Sequence, residues 1–435
     1  MGLRYEYEML PAPYLVNPLA PQTSDRPADI NNWGPRFGFA YDIFGDGTTS
    51  IRGGYGVYYG RIINSTIYNA LLNTGVSAGQ LQYSFTGSQG GPLFPQIINP
   101  ATPPSGTIKP AIVYFDRNFQ APEVQEIDLI FERQLGWNTT LSLSYLGSLG
   151  RHLPDFVDAN LTSTPTSITY NVIDPNHKGP IQTSTLTGLL YNSRPNTSFG
   201  AMTDIFSGIN SDYNAFAVQV NHNMGHNLQF GANYTWAHAL DFGQNSTTFT
   251  DTNDLLNPSC LKCEYGDSNF DVRQRFTANA VGYAWWNVKG PLGYLANGWE
   301  LAPIFQAQTG LPYSLVTSGS APGGASGSIN GSGGATRLLQ TGRNAYRYPN
   351  TYVVDLRLSK NFKFAERYNL QVLGEVFNLA NHVNVTGINN TGYIIGGTTA
   401  APTLTYNSPF GTVNNANSNF VYSTRQIQIG AKFSF

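Results

Sequence analysis

The sequence predicts an all-β fold, an antiparallel transmembrane β-barrel with about twelve strands present. Three observations lead there. Stretches of about ten residues alternate apolar and polar side chains, the mark of strands with two unlike faces. The connections between them alternate short and long. The composition is low in charge and rich in aromatics.

Composition sets the bounds. Of 435 residues, 11% are charged, against roughly 25% in an ordinary soluble domain. Aromatics make up 13%, with 26 Tyr and 25 Phe. A coiled coil needs far more Glu, Lys and Arg, and a disordered chain far fewer aromatics. The net charge of −2 implies no pull toward nucleic acid. No apolar run reaches the ~18 residues of a membrane-spanning helix. Two cysteines cannot build a disulfide framework.

Strands are expected at 3–8, 35–44, 49–58, 123–133, 138–148, 213–223, 227–236, 272–285, 297–309, 350–362, 367–378 and 422–435. Gly45-Asp46-Gly47-Thr48 closes the second and third as a tight turn, Asp-Gly being favoured in hairpins. In 138–148, Leu141, Leu143 and Tyr145 oppose Ser142 and Ser144. In 227–236, Leu228, Phe230, Ala232, Tyr234 and Trp236 oppose Asn227, Gln229, Asn233 and Thr235. The facing of 272–285 is mixed. In 350–362, Tyr352, Val354, Leu356 and Leu358 oppose Asp355, Arg357, Ser359 and Asn361. In the last strand, Ile427, Ile429, Ala431, Phe433 and Phe435 share one face, and Gln426, Gln428, Gly430, Lys432 and Ser434 the other.

The connections discriminate further. Gln134–Trp137, Met224–His226 and Lys363–Glu366 are short, like 45–48, and 286–296 is intermediate. Between them lie long polar connections at 9–34, 59–122, 149–212, 237–271, 310–349 and 379–421. Compact soluble domains rarely carry one structureless loop above roughly 15 residues. Membrane barrels pair short periplasmic turns with long outer loops. With Phe435 at the periplasmic side, every short turn falls there. Ten tilted residues span ~23 Å, close to the ~25 Å apolar band of such barrels. Tyr55, Tyr58, Tyr59, Tyr145, Tyr234, Trp236, Trp285, Trp286 and Trp299 are expected to form interfacial girdles.

Several segments then resemble one family. They include Gly2-Leu3-Arg4-Tyr5-Glu6-Tyr7-Glu8, Trp33-Gly34-Pro35-Arg36-Phe37-Gly38-Phe39-Ala40-Tyr41 and Ile51-Arg52-Gly53-Gly54-Tyr55-Gly56. Tyr213-Asn214-Ala215, Asn233-Tyr234-Thr235-Trp236, Asp271-Val272-Arg273-Gln274-Arg275-Phe276 and Gln308-Thr309-Gly310-Leu311-Pro312 continue the set. Glu375-Val376-Phe377-Asn378-Leu379-Ala380-Asn381-His382 and Ala431-Lys432-Phe433-Ser434-Phe435 close it. In this order they resemble the C-terminal barrel of TonB-dependent outer-membrane receptors, of the Oar-like, carboxypeptidase-regulatory-domain type. The resemblance implies a plugged 22-stranded barrel in the bacterial outer membrane, of which residues 1–435 are one partial barrel domain. It implies outer-membrane lipid, barrel-assembly machinery, a plug domain, TonB and a solute of unknown identity as partners. The opening residues, Met1 to Leu10, carry no apolar signal region. The expectation is therefore the C-terminal part of a longer receptor. A small passive channel closed from twelve strands, or a secreted soluble β-rich binding protein, is the alternative.

Candidate sites follow. Ile427, Ile429, Ala431, Phe433 and Phe435 fit a barrel-assembly signal, an edge strand captured by pairing. Glu126, Asp128, Glu300, Asp355, Arg357 and Glu375 fall on polar strand faces, and so are candidates for the lumen. Paired carboxylates serve glycosidases, but no spacing here places two at catalytic separation, and no enzyme activity is expected. Cys260-Leu261-Lys262-Cys263 reads as a local disulfide, as free thiols, or as half a metal or redox site. Asp251, Asn253 and Asp254 lack the glycine and distal glutamate of a calcium loop. The histidines show no metal-ligand spacing; His222 and His226 flank a turn. No cofactor is expected. The Gly/Ser-rich run 319–335 reads as a mobile loop tip.

Overall fold

The computed structural model describes all residues except 14, 77–80, 82, 84–93, 96–108, 226, 244–254, 285, 339, 365–366 and 419–421. Asp251, Asn253, Asp254, His226 and Trp285 thus lie outside the described residues.

Twelve strands make the ladder of the main sheet: β1 (Gly2–Tyr5), β2 (Trp33–Asp42), β3 (Thr49–Tyr59), β4 (Glu123–Gln134), β5 (Thr139–Asp158), β6 (Met202–Gly225), β7 (Leu228–Asp241), β8 (Gln274–Tyr283), β9 (Trp299–Gln308), β10 (Thr351–Phe364), β11 (Tyr368–Phe377) and β12 (Gln426–Ser434); the short strands Ile112–Phe115 and Gly266–Asp267 join it beside β6 and β7. Each pairs antiparallel with the next in chain order, from β1 to β12. All twelve expected strands are present. β5 and β6 run to 20 and 24 residues, well beyond the expected 138–148 and 213–223. Their extra lengths pair with each other past a register shift at Gly150/Leu153. Twenty residues at ~3.3 Å rise overshoot a ~25 Å apolar band even when tilted, so this hairpin projects outward.

Directly opposed residues share a sheet face, so the registers trace both faces across all twelve strands. One face carries Phe37, Phe39, Ile127, Leu129, Leu143, Val218, Ala232, Phe305, Leu356, Val372 and Ile429. The other carries Arg52, Glu132, Ser142, Gln219, Asn233, Thr277, Gln306, Val353 and Gln428. The mixed strand β8 resolves in the same way: Phe276, Ala278 and Ala280 join the apolar face, Arg275, Thr277 and Asn279 the polar one. An apolar band continuous around a sheet whose other face is polar suits lipid outside and water inside. Among the described residues no helix is long and apolar enough to cross a membrane; the crossing elements are strands.

Aromatics edge the apolar face at both ends. Tyr5, Trp33, Trp236 and Tyr352 stand toward the long connections, and Trp299, Phe362, Phe364, Tyr368 and Phe433 toward the short turns. Tyr58 is a correction to the expected girdle. It opposes Val124 on the polar face, with the Arg36 guanidinium 4.3 Å from its ring centroid. Strand parity places it there, and Arg36 holds it.

The packed cores lie in the long connections and on the projecting ends of β5 and β6. The larger joins Ile168, Tyr170, Leu186, Leu256, Leu315, Ile329, Leu338, Tyr393 and Leu404 from four connections. It packs on a five-stranded sheet of Thr166–Ile173, Thr185–Leu190, Val316–Ser318, Thr391–Thr398 and Ala401–Tyr406. A second core joins Leu10, Ile62, Phe115 and Phe119 to Phe156 and Ile205 of the projecting hairpin. Burying each such side chain stabilises by about 1.5–3 kcal/mol, so the outer connections form a folded cap.

The run 319–335 belongs to that cap, contrary to the expected mobile tip. Ala321, Ser328, Ile329, Asn330 and Ser332 are buried. The Tyr170 hydroxyl donates to the Ile329 carbonyl at 2.6 Å, and the Tyr191 N–H to the Asn330 carbonyl at 2.8 Å. Glycine is needed here because the backbone crosses itself. A Cβ on Gly324 would lie 2.7 Å from the Gly331 Cα, and Gly331 has φ +71°. A glycine-rich composition permits a loop, but here it permits close packing.

Candidate functional site

The polar wall is the first part of the site. All six charged candidates share its face. Glu126 and Asp128 on β4 oppose Gly56 and Gly54 on β3. A Cβ on Gly54 would come within 2.7 Å of the Asp128 Oδ1, so glycine makes room for that carboxylate. Glu300 opposes Ser359, and Arg357 opposes Glu375. Arg357 and Glu375 form an ion pair with N–O distance 2.6 Å. The Asp355 carboxylate accepts the Asn378 backbone N–H at 2.8 Å, which fixes the chain as it leaves β11. Arg52 and Glu132 pair on the same face. The structure thus brings Arg357 and Glu375 together, gives Asp355 a backbone partner, and leaves Glu126 and Asp128 side by side on β4.

The second part is the outer cap, which the sequence did not single out. Eight charged side chains, together with His238, knot it to the wall. Asp271 is fully buried. It accepts the Ala239 N–H of β7 at 2.7 Å and the Arg273 Nε at 2.6 Å, and it also pairs with Arg347. Asp267 accepts Arg273 at 2.8 Å, Arg347 at 2.6 Å and His238 at 3.1 Å. Arg343 pairs with Asp241, and Arg337 with Glu264 at 2.5 Å. The knot joins connections 242–273 and 309–350 to β7. Only the Asp271–Arg273 spacing within the quoted motif hinted at it, since Arg347 lies 76 residues away.

His238, Asp267 and Asp271 bring ligand atoms within 4.8 Å of one another. Both carboxylates already hold the guanidiniums of Arg273 and Arg347, so a metal cation would have to displace two arginines. Burial alone would raise the Asp267 carboxyl, but bonds from His238 and Arg347 and the charges of Arg273 and Arg347 outweigh it. The result lies below the usual carboxylate range.

Cys260 and Cys263 are joined by a disulfide, with Cα atoms 5.4 Å apart. It brackets the short turn Leu261–Glu264, whose Glu264 carboxylate accepts the Leu256 N–H at 3.0 Å and holds Arg337.

The last strand is an edge. β12 pairs with β11 on one side only, and among the described residues no pairing joins it to β1. Ile427, Ile429, Phe433 and Phe435 are largely exposed, and Ala431 shares their face. Phe433 stacks on Tyr368 with ring centroids 5.9 Å apart.

Comparison with known proteins places this architecture. No curated protein sequence matches the chain. Among solved structures it resembles the outer membrane transporter YddB from Escherichia coli, at 12% identity and TM-score 0.48, covering 95% of this chain and 41% of that one. It also resembles the ferripyoverdine receptor of the outer membrane of Pseudomonas aeruginosa, at 10% identity and TM-score 0.45, covering 94% and 34%. A third is the siderophore receptor PirA from Acinetobacter baumannii, at 8% identity and TM-score 0.44, covering 93% and 41%. The chain thus spans less than half the length of these structures. The outer membrane beta barrel domain family matches residues 4–428, nearly the whole chain, and the protein belongs to that family, with the bacterial outer membrane as its location.

Proposed function

We propose that the chain forms the C-terminal portion of the barrel of a TonB-dependent receptor, of the Oar-like, carboxypeptidase-regulatory-domain type. The complete receptor would take up a solute across the outer membrane, with TonB acting on a plug domain. This chain would supply barrel wall and the outer surface that meets the solute, with no catalytic step of its own. The observation that carries the reading is the open sheet. Twelve strands present one apolar face to lipid, yet β1 and β12 are not paired. Unpaired backbone edges are prohibitive in hydrocarbon, so both edges call for further strands. The order of the family-like motifs supports the receptor subtype.

Reconstituting the purified chain in liposomes and recording conductance tests this. No stable pore is expected. A uniform, long-lived open pore would overturn the reading in favour of a passive twelve-stranded channel.

The exposed edge and terminal aromatic of β12 support recognition by barrel-assembly machinery through strand pairing. Deleting Phe435 should lower the heat-resistant, membrane-inserted form severalfold in cells. Unchanged assembly counts against that role.

A further inference from the structure

On the side of the short turns, one connection differs from the rest. Residues 286–298 fold into a knob with a single helical turn at Gly293–Ala296. Its Leu292, Tyr294 and Leu295 are exposed. Two tryptophans brace it: Trp286 Nε1 donates to the Ala296 carbonyl at 2.7 Å, and Trp299 Nε1 to the Leu295 carbonyl at 2.9 Å. Tryptophans with an apolar body and a bonded N–H mark the level of the lipid headgroups.

Under the knob sits Lys360. Strand parity puts it on the apolar face, opposite Trp299, where a cation is costly. It is only 6% exposed. Its ammonium donates to the Asn297 carbonyl and lies 5.5 Å from the Trp299 ring centroid and 5.0 Å from that of Phe362. An ammonium has three donors, and it faces an open cleft of about 650 Å³ lined also by Asn287, Val288 and Tyr294, while Asn361 and Lys363 border it from the polar face. One step deeper along the same face, Leu358 opposes Leu301. There an open trough of about 690 Å³ runs between Leu228, Leu301 and Leu358, flanked by Trp286 and Trp299. The trough lies over Gly282, where a Cβ would meet nothing nearer than Leu228 Cδ1 at 3.9 Å. Glu300 borders the trough, but its side chain belongs to the polar face.

We propose that the trough and the cleft together bind one anionic glycerophospholipid of the periplasmic leaflet, its acyl chain over Gly282 and its phosphate against Lys360. The two parts have the right order. The apolar trough lies toward the bilayer centre and the basic cleft toward the short turns, which face the periplasm in this family of folds. A lysine ammonium beside the headgroup favours an anionic lipid over a zwitterionic one.

The test is native mass spectrometry of the full chain in detergent, with phosphatidylglycerol and phosphatidylcholine in competition. The wild-type chain should retain phosphatidylglycerol preferentially. Lys360→Gln should cut that preference about fivefold, the worth of one basic residue near a lipid headgroup, whereas Lys363→Gln, on the polar face, should leave it unchanged. Gly282→Leu, at a position with room for a Cβ, should fill the trough and abolish retention while Lys360 stays in place. Equal retention of the two lipids, or undiminished retention by Gly282→Leu, overturns the site.

Discussion

Replacing Asp271 with alanine is expected to loosen the outer cap by about 3–5 kcal/mol, the cost of breaking a buried ion pair from one side. Asp271 is fully buried. It holds the β7 backbone at Ala239 and both Arg273 and Arg347. Without it, two guanidiniums face a site with one carboxylate, Asp267. The main sheet does not depend on this knot, because its ladder runs between neighbouring strands. Limited proteolysis of the membrane-inserted protein separates the two effects. Cleavage within 309–350 should rise sharply in Asp271→Ala, while the strands stay protected. A cleavage pattern equal to the wild type would show that the knot does not secure the cap. Acid should act in the same direction. The Asp267 carboxyl is held below its ordinary value, so its contribution is whole above about pH 4. It is lost as the pH falls through the depressed native value. Proteolytic opening of the cap should therefore begin below about pH 4 and not between pH 5 and 8.

The second large effect concerns the two faces. Leu356 lies on the apolar face of β10, opposite Pro303 and Val376, between the aromatic levels at Tyr352 and Trp299. Leu356→Arg places a charge near the centre of the apolar band, which costs about 2–4 kcal/mol in a membrane barrel. Its neighbour Arg357 points the other way and pairs with Glu375. The Arg357 side chain is half exposed, and Arg357→Leu should cost about 1 kcal/mol or less. Urea titrations of the protein folded in lipid vesicles would measure both. Equal costs at the two adjacent positions would contradict the assignment of faces.

Much of this architecture was legible before any coordinates. Alternation in β7, β10 and β12 announced both faces, because period two is a local property of a strand. The short and long connections announced which end is which. β8 was not legible, since Val272-Arg273-Gln274-Arg275-Phe276 mixes the knot at Arg273 with the start of the strand. Its register against β7 and β9 settled its faces. Tyr58 was misread because an aromatic near a strand end suggests lipid, while its parity, and Arg36 above its ring, turn it inward.

The cap escaped the sequence altogether. Its strands are short, and its core joins Tyr170, Leu256, Leu315 and Tyr393 from four separate connections. The Gly/Ser run looked like a loop because composition reports what a backbone can do, whereas Gly324 against Gly331 shows what it does. By itself the sequence determined a twelve-stranded membrane wall, its two faces and the side of its long connections. These follow from local alternation and spacing. Only the tertiary structure decided that described parts of the long connections pack into cores of their own, that Asp271 meets Arg347 there, and that Lys360 lies beneath the 286–298 knob. Those contacts join residues far apart in the chain, and no local pattern records them.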